Sequence, residues 1–592
     1  MSGKGAENEK SQAVQTCPYL DTIDRTALDF DFEPACSQSL STSPNIYACL
    51  VCGAFFKGRG KQTPAYLHSV NENHSVFLHL TRGTFHCLPD DYEIVDPSLD
   101  DIQKAFRPIY SEKDIQDLDN RKDLGRDLFG RRYLPGFVGL NNLNKTDCIN
   151  ATLQALAHVK KLRDFFLRCG DGVEFELILH VASSASSKKR KRKRNGSLSS
   201  KPKDTKKKVV VIDPTSFSHL AKCFGDMIRK MWNDKRFKST VDPHMLVQAI
   251  SVASNKRYSI GKQIEAGEFI AWLLHQLHHG VGGTKKAGSS IIHQLFQGSV
   301  EITTRQRKLV DENVAEEEDD RLGSDNEDDI TKKVEAAKKE MEMNTNAIEE
   351  NVSNSQFLQL TLDIPEKPLF KDDNGGLVIP QEPLPTLLKK FDGVSFNDVL
   401  GAPQAQQRRY RLTQLPNYLI LCLSRFKKNS FNNEKNPTIV PFPITNFDLT
   451  HYVMDSQKKR EPPTEDQILE MSVKELKDLL QNYGQSALAT NVVEKSELLQ
   501  LCIDFIAKSL PDLLSQKYDL VANITHTIPA EVGREGLVDP LEEGSYRCHV
   551  EHKSTKQWFE IQDLHVQEIM PQLIGVSESY VLIFEKKSAS DL

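Results

Sequence analysis

The sequence lacks any apolar stretch long enough to cross a bilayer, and its first residues, Met1–Gln15, carry no hydrophobic signal core. Both absences argue against an integral membrane or secreted protein and predict a chain kept in the cytosol or nucleus. In that setting its eleven cysteines read as thiols or zinc ligands, since disulfides do not persist there. Hydrophobic residues are low at 39%, which predicts polar insertions within otherwise foldable sequence. Strong net charge is missing as well: the formal −6 averages basic and acidic blocks that lie far apart. At 592 residues, one compact core is not enough, and two or more domains are expected.

Where thiols do cluster, they keep company with imidazoles. Cys49-Leu-Val-Cys52 is followed by His68 and His74, all within 26 residues. Two thiolates on a tight knuckle and two imidazoles can complete a tetrahedral zinc shell, and the metal would supply folding energy that a small unit otherwise lacks. Cys17, Cys36 and Cys87 are left over. No second four-ligand set is evident, so they read as core thiols, with a second metal left open.

Three stretches break the foldable pattern. Residues 183–208 hold Lys188-Lys-Arg-Lys-Arg-Lys-Arg194 and Lys206-Lys-Lys208 in a setting of serine, asparagine and proline. This segment has no apolar face and predicts a disordered surface loop serving nuclear import, or else contact with RNA phosphates. Aromatic residues that would stack on bases are absent from it. Residues 311–350 are charged: Asp311–Asp329 is acidic around Ser324, an acidic-directed phosphorylation candidate, and Lys332–Glu350 reads as a charged helix. Residues 465–514 predict two helices, the first opened by a capping box from Ser472 to Glu475 and closed at Tyr483-Gly484, the second opened near Glu494. The pair is similar to SAP-type helical modules. Its cationic stripe is thin, which favours protein docking or spacing over DNA binding. Residues 1–15 and 587–592 read as tails, and 101–135 as a charge-rich, mostly surface connection that docks one domain on the next.

The chain is organised around Gly139-Leu-Asn-Asn-Leu-Asn-Lys-Thr-Asp-Cys-Ile-Asn-Ala-Thr-Leu-Gln154. A polar turn runs into a helix whose Leu153, Leu156, Val159, Leu162 and Phe166 recur at helical spacing. Such a junction offers unpaired N–H groups and the positive helix end, a good seat for a thiolate. The junction residue, however, is Asp147, with Cys148 one step later. Further on, Leu415-Pro-Asn-Tyr-Leu-Ile-Leu-Cys-Leu-Ser-Arg-Phe426 reads as a buried strand, Lys517–His526 as another, and Ser577–Phe584 as a closing one.

The Gly139–Gln154 box resembles the nucleophile box of the ubiquitin-specific proteases, with the family's cysteine falling on Asp147. Asn142 matches the oxyanion-stabilising asparagine; Thr146, Asn150, Leu153 and Gln154 also agree, while Asn144 and Lys145 stand where glycine and often asparagine are expected. Gln263–Phe269, with Glu265 for the usual aspartate, Phe296-Gln-Gly298, Arg425-Phe426 and Pro441-Phe-Pro443 are similar to further family segments. Gly544-Ser545-Tyr546 stands where the histidine box is expected, and in Trp558-Phe-Glu-Ile-Gln562-Asp563 the position that orients the histidine is Gln562. The segment Cys49 to Cys87 resembles the zinc-finger ubiquitin-binding domain: Arg59 matches the arginine that holds ubiquitin's C-terminal carboxylate, and His86 replaces the tryptophan flanking that tail. No cysteine lies between Gly298 and Leu415, so the four-cysteine ribbon of many family members is missing.

The resemblance implies an α+β chain: a small zinc-finger domain over 16–100, then a papain-like ubiquitin-specific protease fold over 136–586, interrupted by the insertions. It implies zinc on Cys49, Cys52, His68 and His74. It implies no catalysis, because Asp147, Ser545 and Gln562 occupy the triad positions and leave the retained Asn142 idle. Within the family the resemblance is to a non-catalytic branch associated with pre-mRNA splicing. This implies a nuclear scaffold for proteins of the U4/U6.U5 tri-snRNP, with RNA contact secondary and no membrane partner. Two rivals stand beside it: a non-cleaving ubiquitin-binding module, and an atypical deubiquitinase using Cys148. Against the second, one residue along a helix turns a side chain by about 100°, so Cys148 should point into the core.

Overall fold

A computed structural model describes residues 17–182, 205–307, 348–366, 370–371, 377–398, 406–428, 433–453, 463, 465–482, 494–506, 516–528 and 539–587. The expected tail 1–15, the cationic run Lys188–Arg194 and Ser324 lie outside these residues.

The N-terminal unit is an antiparallel sheet ordered Phe55–Lys57, Ile46–Cys49, Val76–His79, Thr84–Cys87, Tyr92–Ile94. Strand alternation divides its side chains. Ile46, Ala48, Val76 and Leu78 face one core together with Cys17, Cys36 and Cys87. Tyr47, Cys49 and Phe77 face the other, which the helix Pro64–Glu72 covers through Ala65. The three spare thiols are thus buried core residues, and among the described residues no second metal-ligand cluster forms around them.

The larger unit is built on an eight-stranded sheet. Its path runs Leu360–Asp363, Tyr418–Ser424, Ser579–Lys586, Lys517–Thr527, Ser545–His552, Gln557–Gln562, His565–Ile569, and Phe447–Asp448 pairs with Lys517–Thr527 off that path. Tyr418–Ser424 explains its own unbroken apolar sequence. Ile420 and Cys422 enter the core shared with the helices, whereas Leu419, Leu421 and Leu423 enter a second core on the opposite face. A strand buried on both faces has no polar side to alternate with. A separate four-stranded sheet joins Ile348–Phe357, Gly298–Arg307, Gln406–Gln414 and Asn397–Asp398.

Several expectations are corrected. The single helix read from Leu153 to Phe166 is two, Asp147–Ala157 and Lys160–Arg168, broken where Val159 takes an extended backbone (ψ 98°). The segment 101–135, expected as a mostly surface connection that docks one domain on the next, is buried at more points than that: Ile102 packs into the zinc-finger core, and Ile115 and Leu118 into the protease-fold core. Thr205–Lys208 belongs to a strand, Thr205–Ile212, paired with Phe175–Ala182, because backbone pairing takes precedence over side-chain polarity at the base of an insertion. The end of the expected helix Lys332–Glu350 is likewise strand, beginning at Ile348. In 465–514 the described residues hold three helices, Glu465–Glu470, Val473–Asn482 and Lys495–Asp504, around Ile468, Leu476, Leu480, Leu498 and Cys502. The capping box is present: Ser472 N donates to Glu475 Oε2 at 2.8 Å, and Glu475 N to Ser472 Oγ at 3.4 Å.

The two units are docked by charge. Lys230 Nζ donates to Phe30 O and Asp31 Oδ1, each at 2.8 Å, and Asp242 N donates to Asp31 Oδ2 at 3.1 Å. Burial alone would raise the Asp31 carboxyl, but Lys230 outweighs it and holds the group below the usual carboxylate range.

Candidate functional site

Two sites follow from the sequence, and the structure treats them differently. In the first, ligand atoms of Cys49, Cys52, His68 and His74 all lie within 4.8 Å of one another. Cys49 Sγ is 3.5 Å from His74 Nδ1, Cys52 Sγ 3.4 Å from His68 Nε2, and His68 Nε2 3.0 Å from His74 Nδ1. Ideal tetrahedral zinc bonds place ligand atoms about 3.3–3.8 Å apart, so the donor set fits the ion. The electrostatics agree. Burial lowers the His68 pKa and keeps its ring neutral, and burial pushes the Cys49 thiol up to about 12, so a thiolate there needs a cation at its side. The His68 ring stacks on Phe56 at 4.2 Å, which fixes its orientation. The cluster is a structural zinc-binding site.

Beside it, Arg59 is already engaged. Its Nη1 donates to His86 Nδ1 at 2.9 Å and lies 3.3 Å from Asp91 Oδ1. A guanidinium can only donate, so His86 accepts on Nδ1 and its Nε2–H donates to Thr84 Oγ1 at 3.0 Å. Burial, with Arg59 adding, pushes the His86 pKa down to about 4, consistent with that neutral tautomer.

The second site assembles around the helix Asp147–Ala157, every residue of which is buried. Gly139 opens the box because the turn at Leu564 passes so close that a Cβ would meet its backbone at 2.8 Å. Asn144 and Lys145 both have positive φ, 76° and 55°, which accounts for the preference for glycine and asparagine at these positions. The structure brings together the three positions that the resemblance assigns to the triad. Asp147 Oδ2 accepts from Tyr546 N at 2.8 Å, and Gln562 Nε2 donates to Ser545 Oγ at 3.3 Å.

What they form is a hydrogen-bonded plug with no reactive member. Burial raises the Asp147 carboxyl above its usual range, offset in part by the Tyr546 amide. Asn142 is not a free oxyanion donor: its Nδ2 donates to Asp563 Oδ2 at 3.0 Å while its Oδ1 accepts from Thr146 N at 3.1 Å. Asp563 is the hub that sequence reasoning passed over. It also accepts from Asn150 Nδ2 at 2.8 Å, and its carbonyl accepts from Leu140 N at 2.9 Å. Its left-handed backbone (φ 49°) aims one carboxylate at both asparagines, a feature no spacing rule announces. Lys145 and Glu542 form an ion pair linking the turn before Asp147 to the helix before Ser545.

Cys148 is core. It is 1% exposed, and burial pushes its thiol well above the usual range, with Asp147 and Glu265 adding to the effect. Glu265 itself caps its helix through Gly267 N and Glu268 N and receives the Tyr580 hydroxyl. Among the described residues no imidazole substitutes at Ser545. His526 is sealed beneath Gly544, where a Cβ would meet its ring at 2.1 Å, and burial pushes its pKa down to about 3. His549 is buried and held by Glu560 at 3.0 Å and Asn523 at 3.1 Å, and His565 is exposed at the far strand.

Residues 138–584 match the family described as ubiquitin carboxyl-terminal hydrolase, and residues 36–99 match the zinc finger found in ubiquitin hydrolases and other proteins. The chain belongs to the ubiquitin carboxyl-terminal hydrolase family. Among its relatives, ubiquitin carboxyl-terminal hydrolase 39 of Mus musculus is 36% identical over 98% of this chain and 82% of the relative. The probable mRNA-splicing protein ubp10 of Schizosaccharomyces pombe is 32% identical over 98% of this chain and 91% of its own length. A crystal structure of an essential yeast splicing factor shares the fold, with a TM-score of 0.58 at 22% identity, covering 96% of this chain and all of that one. This hydrolase-family member is non-catalytic, and the positions that the resemblance assigns to the triad, Asp147, Ser545 and Gln562, offer no thiolate or imidazole. No helix among the described residues is long and apolar enough to cross a membrane.

Proposed function

We propose that the protein is a nuclear pre-mRNA splicing factor that uses an inert hydrolase fold as a scaffold, stabilising or recruiting the U4/U6.U5 tri-snRNP through protein contacts. The observation carrying this reading is end-to-end similarity to proteins named for splicing, joined to a site whose polar groups are spent on one another. The S. pombe relative is similar over 98% of this chain, and the Saccharomyces cerevisiae pre-mRNA-splicing factor SAD1 over 96%. In such a scaffold the degenerate triad has a packing role, and Asp31–Lys230 holds two surfaces in one orientation for partners to read. The cationic run 188–194 supports nuclear import. The rival, a ubiquitin reader, draws no support from Arg59, whose guanidinium is held by His86 and Asp91.

The test is affinity purification of the tagged chain from nuclear extract. Recovery of U4, U5 and U6 RNAs with their proteins is expected. Recovery of ubiquitin conjugates without those particles overturns the proposal.

A further inference from the structure

The segment joining the two domains carries a surface that neither the zinc centre nor the degenerate triad uses. Gly125–Arg126 and Arg132–Tyr133 form a small antiparallel ladder in which Arg126 stands directly opposite Arg132. Like charges facing each other across a ladder destabilise it. Among the described residues no carboxylate lies within ion-pair distance of Lys122, Arg126, Arg131 or Arg132, all exposed. Their neighbour Arg121, by contrast, is paired with Asp114 at 3.3 Å and Asp234 at 3.7 Å. Asp127, the acid best placed to help, is 7% exposed; its Oδ1 is turned inward to accept from Phe129 N at 3.0 Å and Arg131 N at 2.7 Å. Asp123 is the one exposed acid between Lys122 and Arg132.

At the tip sits Phe129, 64% exposed, with the Arg131 guanidinium 5.9 Å from its ring centre. The hairpin is held firmly from below. Leu128 N donates to Phe237 O at 3.2 Å, and the buried Tyr133 hydroxyl accepts from Arg236 N at 3.0 Å. A rigid stem therefore presents four uncompensated cations and one bare aromatic ring to solvent.

We infer that the hairpin 122–133 is a docking element for single-stranded RNA, with phosphates on Arg126, Arg132 and Lys122 and a base stacked against Phe129 and Arg131. Charge complementarity selects a polyanion. The exposed ring selects RNA over an acidic peptide, because every base offers a face to stack and a carboxylate offers none. The inference does not rest on the scaffold reading, and failure of the RNA test leaves that reading standing.

Fluorescence anisotropy of the full chain with a labelled 12-residue oligouridine tests it. Measurements are repeated in a full chain whose Lys188–Arg194 cations are changed to glutamine, so that the second basic segment cannot mask the effect. In both backgrounds, Arg126→Glu with Arg132→Glu should weaken binding at least tenfold and flatten its salt dependence. Phe129→Ala should weaken binding about fivefold with the salt dependence unchanged, since stacking carries no counterions. All these side chains are exposed, and unchanged thermal melting confirms that the fold is intact. Unaltered affinity in both backgrounds overturns the inference. So does displacement of the RNA by polyglutamate at equal charge with no effect of Phe129→Ala, which assigns the surface to an acidic protein.

Discussion

The zinc centre and the degenerate triad sit in one chain and have met opposite fates. At the zinc centre every donor is present and correctly spaced; at the triad the three positions still converge, but with the wrong atoms. The difference follows from what each set does for folding. Metal ligands hold the small domain together, so losing one loses the domain. Triad residues hold a reaction, and a buried polar site is more stable when its groups bond one another than when they await a substrate. Asn142 and Asn150 both donate to Asp563, and Asp147 accepts from Tyr546 N, so these groups are bonded within the fold, with Asn150 Oδ1 left unpartnered.

The hardest blow to this contrast comes from Cys49→Ala. The substitution should abolish the zinc-finger fold while leaving the protease fold cooperative, seen as loss of one zinc per chain by metal analysis and rapid proteolysis before residue 100. A stable, metal-free N-terminal domain would erase the distinction.

Acid offers a second separation. His158, fully buried, has its pKa pushed down to about 4 by burial, and His526 to about 3. A histidine depressed in the fold is neutral there but charges readily in the unfolded chain. Its contribution is therefore complete above the unfolded value near 6.5 and is lost as pH falls toward the folded value. Each of the two rings should weaken the protease fold by on the order of 3 kcal/mol between about pH 6.5 and 4. His158→Gln should flatten that slope in urea titrations; an unchanged slope would show that the ring is not held neutral.

A smaller effect is expected at the hub. Asp563→Ala leaves Asn142 Nδ2 without its acceptor and Asn150 Nδ2 with only the Asn141 carbonyl, and should cost about 1–3 kcal/mol, read from the denaturation midpoint. If it costs nothing, the plug is decorative and the contrast with the zinc centre weakens. Milder still, Asp147→Asn should slightly raise the midpoint at pH 7. The raised Asp147 pKa means its charge is disfavoured in the fold, and the amide oxygen can still accept from Tyr546 N. Last comes an expected null: Asp147→Cys should not react with a ubiquitin C-terminal propargyl probe, because Ser545 and Gln562 supply no base. Labelling that disappears on Cys148→Ala would instead revive the shifted-nucleophile enzyme.

Much of the site was legible in the residues themselves. Cys49, Cys52, His68 and His74 announce zinc because ligand chemistry demands particular atoms at short spacing. Asp147, Ser545 and Gln562 mark missing chemistry only through the family resemblance, which supplies the positions at which a thiolate, an imidazole and an orienting acid are expected. Periodicity also placed the strand Tyr418–Ser424, whose two buried faces leave only an apolar run. It failed at Val159, where a break between two helices keeps the same apolar spacing, and at Thr205–Lys208, where strand pairing holds a run of lysines.

The sequence alone therefore decided composition-level and atom-level matters: an α+β chain, a metal site, and an absent nucleophile. Tertiary structure decided everything that depends on distant residues meeting. Asp563 reaches Asn142 across 421 positions, and Lys230 reaches Asp31 across 199. Such pairings carry no local spacing signal, since their geometry is set by how sheets and helices pack and not by the order of neighbours along the chain.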